Sequence, residues 1–104
     1  MITYRMWVPN RKGRADLHFF SPKITKNSVV HIAISEASAL GPPDIVLGIR
    51  KFSSIFGAAS ISVQNISVRD GAVDFYVHVD WSSPLNLVAD ITILDPPIEI
   101  IYGR

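Results

Sequence analysis

From Ser60 onwards, apolar and polar residues alternate with a period of two, and this alternation constrains the fold more than any other sequence feature. A period of two is typical of a β-strand with one face in a core and the other in water. Three runs, 73–81, 87–94 and 98–102, follow the pattern, and the hairpin signal Asp70-Gly71 precedes the first of them. The sequence therefore predicts a C-terminal meander of four antiparallel strands.

The first strand of this predicted meander changes parity midway. Ile61 and Val63 share one face, whereas Ile66 and Val68 share the other. A single extra residue in a strand reverses the parity of everything after it. We therefore predict a bulge at Gln64-Asn65.

Shorter strands are predicted in the first half of the chain. Alternation marks residues 2–8 and 29–35, and in the latter run Val30, Ile32 and Ile34 share one face. A brief strand at Leu17–Phe20 is predicted to pair back on the first strand.

One helix is predicted, at about residues 44–56. Four apolar side chains recur at helical spacing, namely Ile45, Ile49, Phe52 and Phe56. Asp44 suits the N-cap and Gly57 the C-terminal end. A strand is the competing interpretation, since Gly48 and two adjacent serines disfavour a helix. The predicted fold class is α+β: a mainly antiparallel sheet of six to seven strands with this helix packed on its apolar face, in a single domain of residues 1–104. The alternative is an all-β sandwich.

Composition narrows the class of protein. The chain has 104 residues, no cysteine and a net charge of +1. Thiol catalysis, disulfides and thiolate metal sites are thereby excluded, and a reducing compartment is favoured. No signal peptide or membrane-spanning run is recognised, so a cytoplasmic location is expected. No cofactor is expected, because the sequence has no glycine-rich phosphate loop.

The predicted meander places polar residues together on one face, and these are the candidate ligand-binding residues: Tyr76, His78, Asp80, Asp90 and Thr92, with His31 from another strand. A regular hairpin would put His78 opposite Asp90, and a carboxylate orients an imidazole for acid–base chemistry. The alternative is that this face is the solvated side of a half-buried sheet. No nucleophile motif identifies a catalytic residue, and no ligand spacing supports a metal site.

The first loop carries a cluster of cations, Arg11, Lys12 and Arg14, close to aromatic residues. Cations beside aromatic rings can bind single-stranded nucleic acid. The charge distribution disfavours this function, because residues 53–104 hold two Lys/Arg against six Asp/Glu, whereas residues 1–52 hold eight against three.

Self-association is the function that the composition favours. The chain is 48% hydrophobic and 18% charged, whereas charged residues make up about a quarter of a typical globular domain. Residues 29–35 and 98–102 carry apolar side chains on both faces, so they need a second layer. We therefore expect a small non-enzymatic binding or assembly protein that acts as a homo-oligomer, most simply a dimer. The alternative is a small-molecule-binding protein or enzyme that uses the polar face.

Overall fold

The computed structural model of the protein describes residues 1–39, 52–55 and 59–103. Its described part is all-β and holds seven strands. They are β1 (Ile2–Arg11), β2 (Gly13–Phe20), β3 (Val29–Ala39), β4 (Phe52–Ile55), β5 (Ser60–Arg69), β6 (Ala72–Asp80) and β7 (Leu85–Leu94).

The strands form two antiparallel sheets that face each other. The four-stranded sheet has the order β1-β7-β3-β4, and the three-stranded sheet has the order β2-β6-β5. The Tyr4 and Phe19 rings, 5.0 Å apart between centroids, join β1 to β2. Contacts between β3 and β5 join the opposite side. The arrangement is a β-sandwich with the core between its sheets.

The core is built from the inward positions that the alternation predicted. Fully or nearly buried side chains from both sheets meet there: Val8, Leu17, Val30, Val73, Phe75, Val77, Val79, Leu87, Ala89, Ile91 and Ile93. Burying each large one contributes about 1.5–3 kcal/mol relative to leaving it in water. The predicted faces of β3, β6 and β7 are confirmed, except that Trp81 is 43% exposed beyond the end of β6.

The predicted α+β fold is wrong, and the all-β alternative fits. Within the predicted helix at 44–56, residues 52–55 form β4, which pairs with β3 from Glu36 opposite Ile55 to Ala39 opposite Phe52. The backbone of β3 forms hydrogen bonds with these residues, and the spacing of apolar residues along the sequence gives no sign of that partner strand. Pairing with β3 therefore outweighs the helical spacing. The remainder of the predicted helix, residues 44–51 and 56, lies outside the described residues.

The predicted meander is also wrong, because its strands are divided between the sheets. β5 pairs with β6, but β7 pairs with β1 and β3 in the other sheet. Residues 81–84 carry the chain across from one sheet to the other. β2 pairs with β6 rather than back on β1, and residues 98–102 form no strand.

Two local predictions are confirmed. β5 shifts register between Gln64 and Ser67, where Asn65 adopts a φ of 53°. Asparagine tolerates this left-handed conformation better than most residues. Gly71, with φ of 81°, closes the β5–β6 hairpin, and its amide donates to the Ile24 carbonyl at 2.8 Å. The hairpin turn therefore anchors the loop between β2 and β3 as well.

Candidate functional site

The predicted site residues are divided between the two sheets. Tyr76, His78 and Asp80 lie on β6, whereas Asp90 and Thr92 lie on β7 and His31 lies on β3. His78 is opposite Arg14 and Ser62, and Asp90 is opposite Arg5 and Ala33. The predicted His78–Asp90 pair is therefore not formed. No single polar face contains all six residues.

The outer face of the four-stranded sheet brings three of them together. His31 lies opposite Thr92, and Asp90 lies two residues before Thr92 on β7. An open groove of about 580 Å³ runs over these residues, and Thr3 and Ile66 also border it. The Thr3 and Thr92 hydroxyls lie 3.0 Å apart across the strands. This face offers hydroxyl and imidazole groups to solvent.

Asp90 on this face is already paired. The Arg5 guanidinium donates to both of its carboxylate oxygens, at 2.7 and 3.0 Å. These hydrogen bonds, and the charge of Arg5, lower the pKa of Asp90 against the smaller opposing effect of burial. A carboxylate held ionised in a bidentate pair is a weak base, so Asp90 is poorly suited to proton abstraction.

The outer face of the three-stranded sheet carries a second polar cluster, centred on Asp74. Arg69 Nε donates to Asp74 Oδ2 at 2.8 Å, and His18 Nδ1 lies 2.7 Å from Asp74 Oδ1. Hydrogen bonds from Arg69 and then His18 lower the pKa of Asp74 to about 2. The cluster keeps this carboxylate ionised at neutral pH.

This cluster contains the residue types of a catalytic triad in the wrong spatial order. Ser67 and His18 lie on opposite sides of Asp74, on β5 and β2 respectively. A triad needs the imidazole between the hydroxyl and the carboxylate, so that the imidazole can take the hydroxyl proton. The arrangement therefore does not activate Ser67.

Tyr76 belongs to the same outer face and is covered by an arginine. The Arg14 guanidinium carbon lies 3.9 Å above the centroid of the Tyr76 ring, and Arg14 Nε also donates to Asp16 at 3.0 Å. The Tyr76 hydroxyl donates to Gln64 Oε1 at 3.1 Å. These contacts occupy both the flat face and the polar end of the aromatic ring.

The predicted nucleic-acid residues lie on both sides of the junction between β1 and β2. Arg14 belongs to the outer face of the three-stranded sheet. The Arg11 guanidinium donates to the carbonyl of Pro9, two residues earlier, at 2.9 Å. Lys12 is exposed between β1 and β2. On the outer face of the three-stranded sheet, two arginines are accompanied by three aspartates, Asp16, Asp74 and Asp80. Such a face does not attract a polyanion.

Sequence reasoning missed the residues that organise these faces, namely Arg5, His18, Arg69 and Asp74. Each occupies a polar position in an alternating strand. That position predicts that the side chain points outward, but it does not predict which residue the side chain contacts. Their pairing depends on which strands are neighbours. In the described part of the chain, no three His, Asp or Glu side chains are grouped so that they could hold a metal ion.

The most unusual surface feature is the segment Ile98–Tyr102, here called the Ile-rich segment. Its large apolar side chains Ile98, Ile100, Ile101 and Tyr102 are between 79% and 106% exposed. Ile100 borders an open depression of about 550 Å³ beside Lys26–Val29. A cluster of large exposed apolar side chains of this kind is typical of a binding site.

Comparisons with protein-family models, curated proteins and solved structures found no match for this chain. Within the described ranges, no helix is long and apolar enough to span a membrane.

Proposed function

We propose that this protein is a small non-enzymatic assembly protein that acts as a homo-oligomer, with the Ile-rich segment as its contact. The observation that carries the proposal is the exposure of four large apolar side chains within five consecutive residues. On the two outer faces, in contrast, several polar groups bind one another: Arg5 with Asp90, Arg69 with Asp74, and Tyr76 with Gln64. The cysteine-free sequence supports action in a reducing compartment such as the cytoplasm.

The energetics favour association. Burying each exposed Ile or Tyr side chain contributes about 1.5–3 kcal/mol, and a two-fold dimer makes the same contact twice. Association costs about 4–15 kcal/mol in lost translational and rotational freedom. Burial of several of these side chains from each copy therefore contributes an amount comparable to that cost, whereas burial of a few scattered ones would not.

A second candidate function is small-molecule binding in the groove on the outer face of the four-stranded sheet. The supporting observation is that His31, Asp90 and Thr92 border one groove of about 580 Å³. The groove is open along its length, and ligand sites are usually concave enough to bury most of a ligand. Assembly is therefore the favoured proposal.

The experiment compares sedimentation of the wild-type protein with that of two variants. Ile98→Asp/Ile100→Asp places charges in the Ile-rich segment, and Ile66→Asp, at an exposed apolar residue of the β5 bulge, is the matched control. We expect the wild type and the control to sediment as an oligomer at micromolar concentration, and the double variant as a monomer.

Circular dichroism and thermal unfolding establish that each variant is folded. The double variant should keep the β-sheet spectrum, because both side chains lie outside the core. A wild-type protein that stays monomeric at micromolar concentration, or a double variant that stays oligomeric, would contradict the proposal.

A further inference from the structure

We infer that the oligomer forms by strand addition: the Ile-rich segment of one copy pairs antiparallel with the open edge of β1 in a second copy, with Glu99 opposite Arg5. This inference rests on the proposed function and specifies its partner surface. Addition of an extended segment to a sheet edge is a general mode of protein recognition.

β1 has the properties of an acceptor edge. It lies at the end of the four-stranded sheet, with β7 on one side and no other strand among the described residues on its other side. The inward side chains Ile2, Tyr4 and Met6 are only half-buried, unlike their partners on β7. Residues 2–8 contain no proline and no inward charge, which are the usual protections of an edge.

The proposed register matches the two surfaces by face. With Glu99 opposite Arg5, the side chains of Ile98, Ile100 and Tyr102 lie beside those of Met6, Tyr4 and Ile2, respectively. All of them then extend the apolar inner face of the sheet. A shift of one residue would turn this apolar row outward into water, so the register is well specified.

The register also matches charge. Arg5 is 57% exposed at its side chain while bound to Asp90 on β7. Glu99 would lie on the open side of Arg5, so the guanidinium would be flanked by a carboxylate on each side. Registers shifted by two residues keep the apolar match but place Glu99 opposite Thr3 or Trp7, without this charge pairing.

Chain connectivity explains why a second copy is the partner. β7 ends beside the start of β1, where Ile93 is opposite Ile2. From that point, the segment could reach the open edge of its own β1 only by running parallel to it. Antiparallel pairing with its own β1 would require Ile98 to lie beside Met6, about 17 Å along the strand from the end of β7. Residues 95–97, two of them proline, allow a span of at most about 14 Å. Antiparallel pairing therefore requires β1 of another molecule, and reciprocal donation gives a closed two-fold dimer.

The edge strand β2 is the principal rival acceptor. Its outward residues include Arg14 and His18, and Glu99 could lie opposite either of them with the apolar side chains inward. However, Arg14 is stacked on Tyr76 and bound to Asp16, and His18 is bound to Asp74. β2 also presents Ala15 to the core where β1 presents larger side chains, so it offers less apolar area to an added strand.

Disulfide cross-linking tests the register, and the absence of cysteine from the chain makes the background clean. Thr3→Cys and Ile101→Cys, carried by separate copies, would be opposite each other in the proposed pairing. Both residues are exposed, so neither substitution disturbs the core. We expect mild oxidation of the mixture to give a covalent dimer as the main product, because opposed strand residues lie within disulfide distance.

Two further mixtures serve as controls. Thr3→Cys with Ile100→Cys tests a shift of one residue, and Asp16→Cys with Ile101→Cys tests the β2 edge in the register with Glu99 opposite His18. We expect at least about ten-fold less cross-linked dimer from each, because the paired thiols would lie on opposite faces or on different edges. Cross-linking mainly through Asp16→Cys, or none through Thr3→Cys in a mixture that still sediments as a dimer, would overturn this inference and leave the proposed function standing. A monomeric mixture would overturn both.

Discussion

β7 and the Ile-rich segment are similar in sequence and opposite in environment. Ile91 and Ile93 on β7 are 0% and 6% exposed, whereas Ile98 and Ile100, with the same two-residue spacing, are 106% and 93% exposed. β7 has a neighbouring strand on both sides and a sheet across the core, and the segment is not part of either sheet. Alternation therefore shows which side chains of a segment are suited to a core. Whether they are buried depends on the strands and the sheet that pack against the segment.

The largest expected effect comes from truncating one isoleucine in β7 and one in the Ile-rich segment and comparing the two losses of stability. Ile91→Ala should lower the free energy of unfolding by about 2–5 kcal/mol, because it leaves a cavity between the sheets. Ile100→Ala should change it by less than about 0.5 kcal/mol when measured on the monomer, because the side chain is already in water. Denaturant unfolding at low protein concentration measures both values. Similar losses in the two variants would show that the environments do not differ as described.

A substitution with a smaller expected effect tests whether Ile66 is exposed because of the bulge in β5, and not because a partner strand is missing as it is for the Ile-rich segment. Ile66 is 41% exposed because the bulge turns it away from the core, while β5 remains paired. Asn65→Val should destabilise the fold by about 1–2 kcal/mol, because a β-branched residue resists the positive φ of the bulge. Asn65→Gly is the matched control and should be nearly neutral in denaturant unfolding. Equal effects of the two substitutions would contradict the role of backbone conformation.

The smallest effect is expected at Asp74, and it tests whether the polar faces take part in stability but not in assembly. The pKa of Asp74 is lowered to about 2, so its pairing stabilises the fold at neutral pH and is lost as the pH falls from about 4 towards 2. Asp74→Asn should flatten the decline of unfolding free energy in that range. The effect is small because the cluster is exposed to solvent.

Arg69→Gln provides the complementary variant, since Arg69 makes the largest contribution to lowering the Asp74 pKa. It should flatten the same part of the pH profile. Neither variant should alter the sedimentation of the protein at neutral pH. An oligomer that dissociates in either variant would place the contact on the outer face of the three-stranded sheet.

Much of the strand content was predictable, because strands of this kind have a local signature. The alternation located β1, β3, β6 and β7 and their buried faces. The parity change located the bulge, and Asp70-Gly71 located the β5–β6 turn. The helix prediction failed at Phe52–Ile55, where helical spacing of apolar residues competed with an available partner strand, β3.

The candidate site was predictable only as a set of outward residues. His31, Asp90 and Thr92 do share a face, but His78 lies on the other sheet, because residues 81–84 cross between the sheets instead of closing a hairpin. Nothing local distinguishes those two outcomes, since both need a short polar loop.

The sequence by itself determined which residues can form strands, which side of each strand is apolar and where one strand bulges. Backbone sterics and side-chain alternation fix these properties within a few residues. The tertiary structure alone decided that β6 and β7 belong to different sheets, that Arg5 rather than His78 binds Asp90, and that Ile98–Tyr102 stays exposed. Those outcomes depend on the order of strands, which is set by the combined burial of residues far apart in the chain.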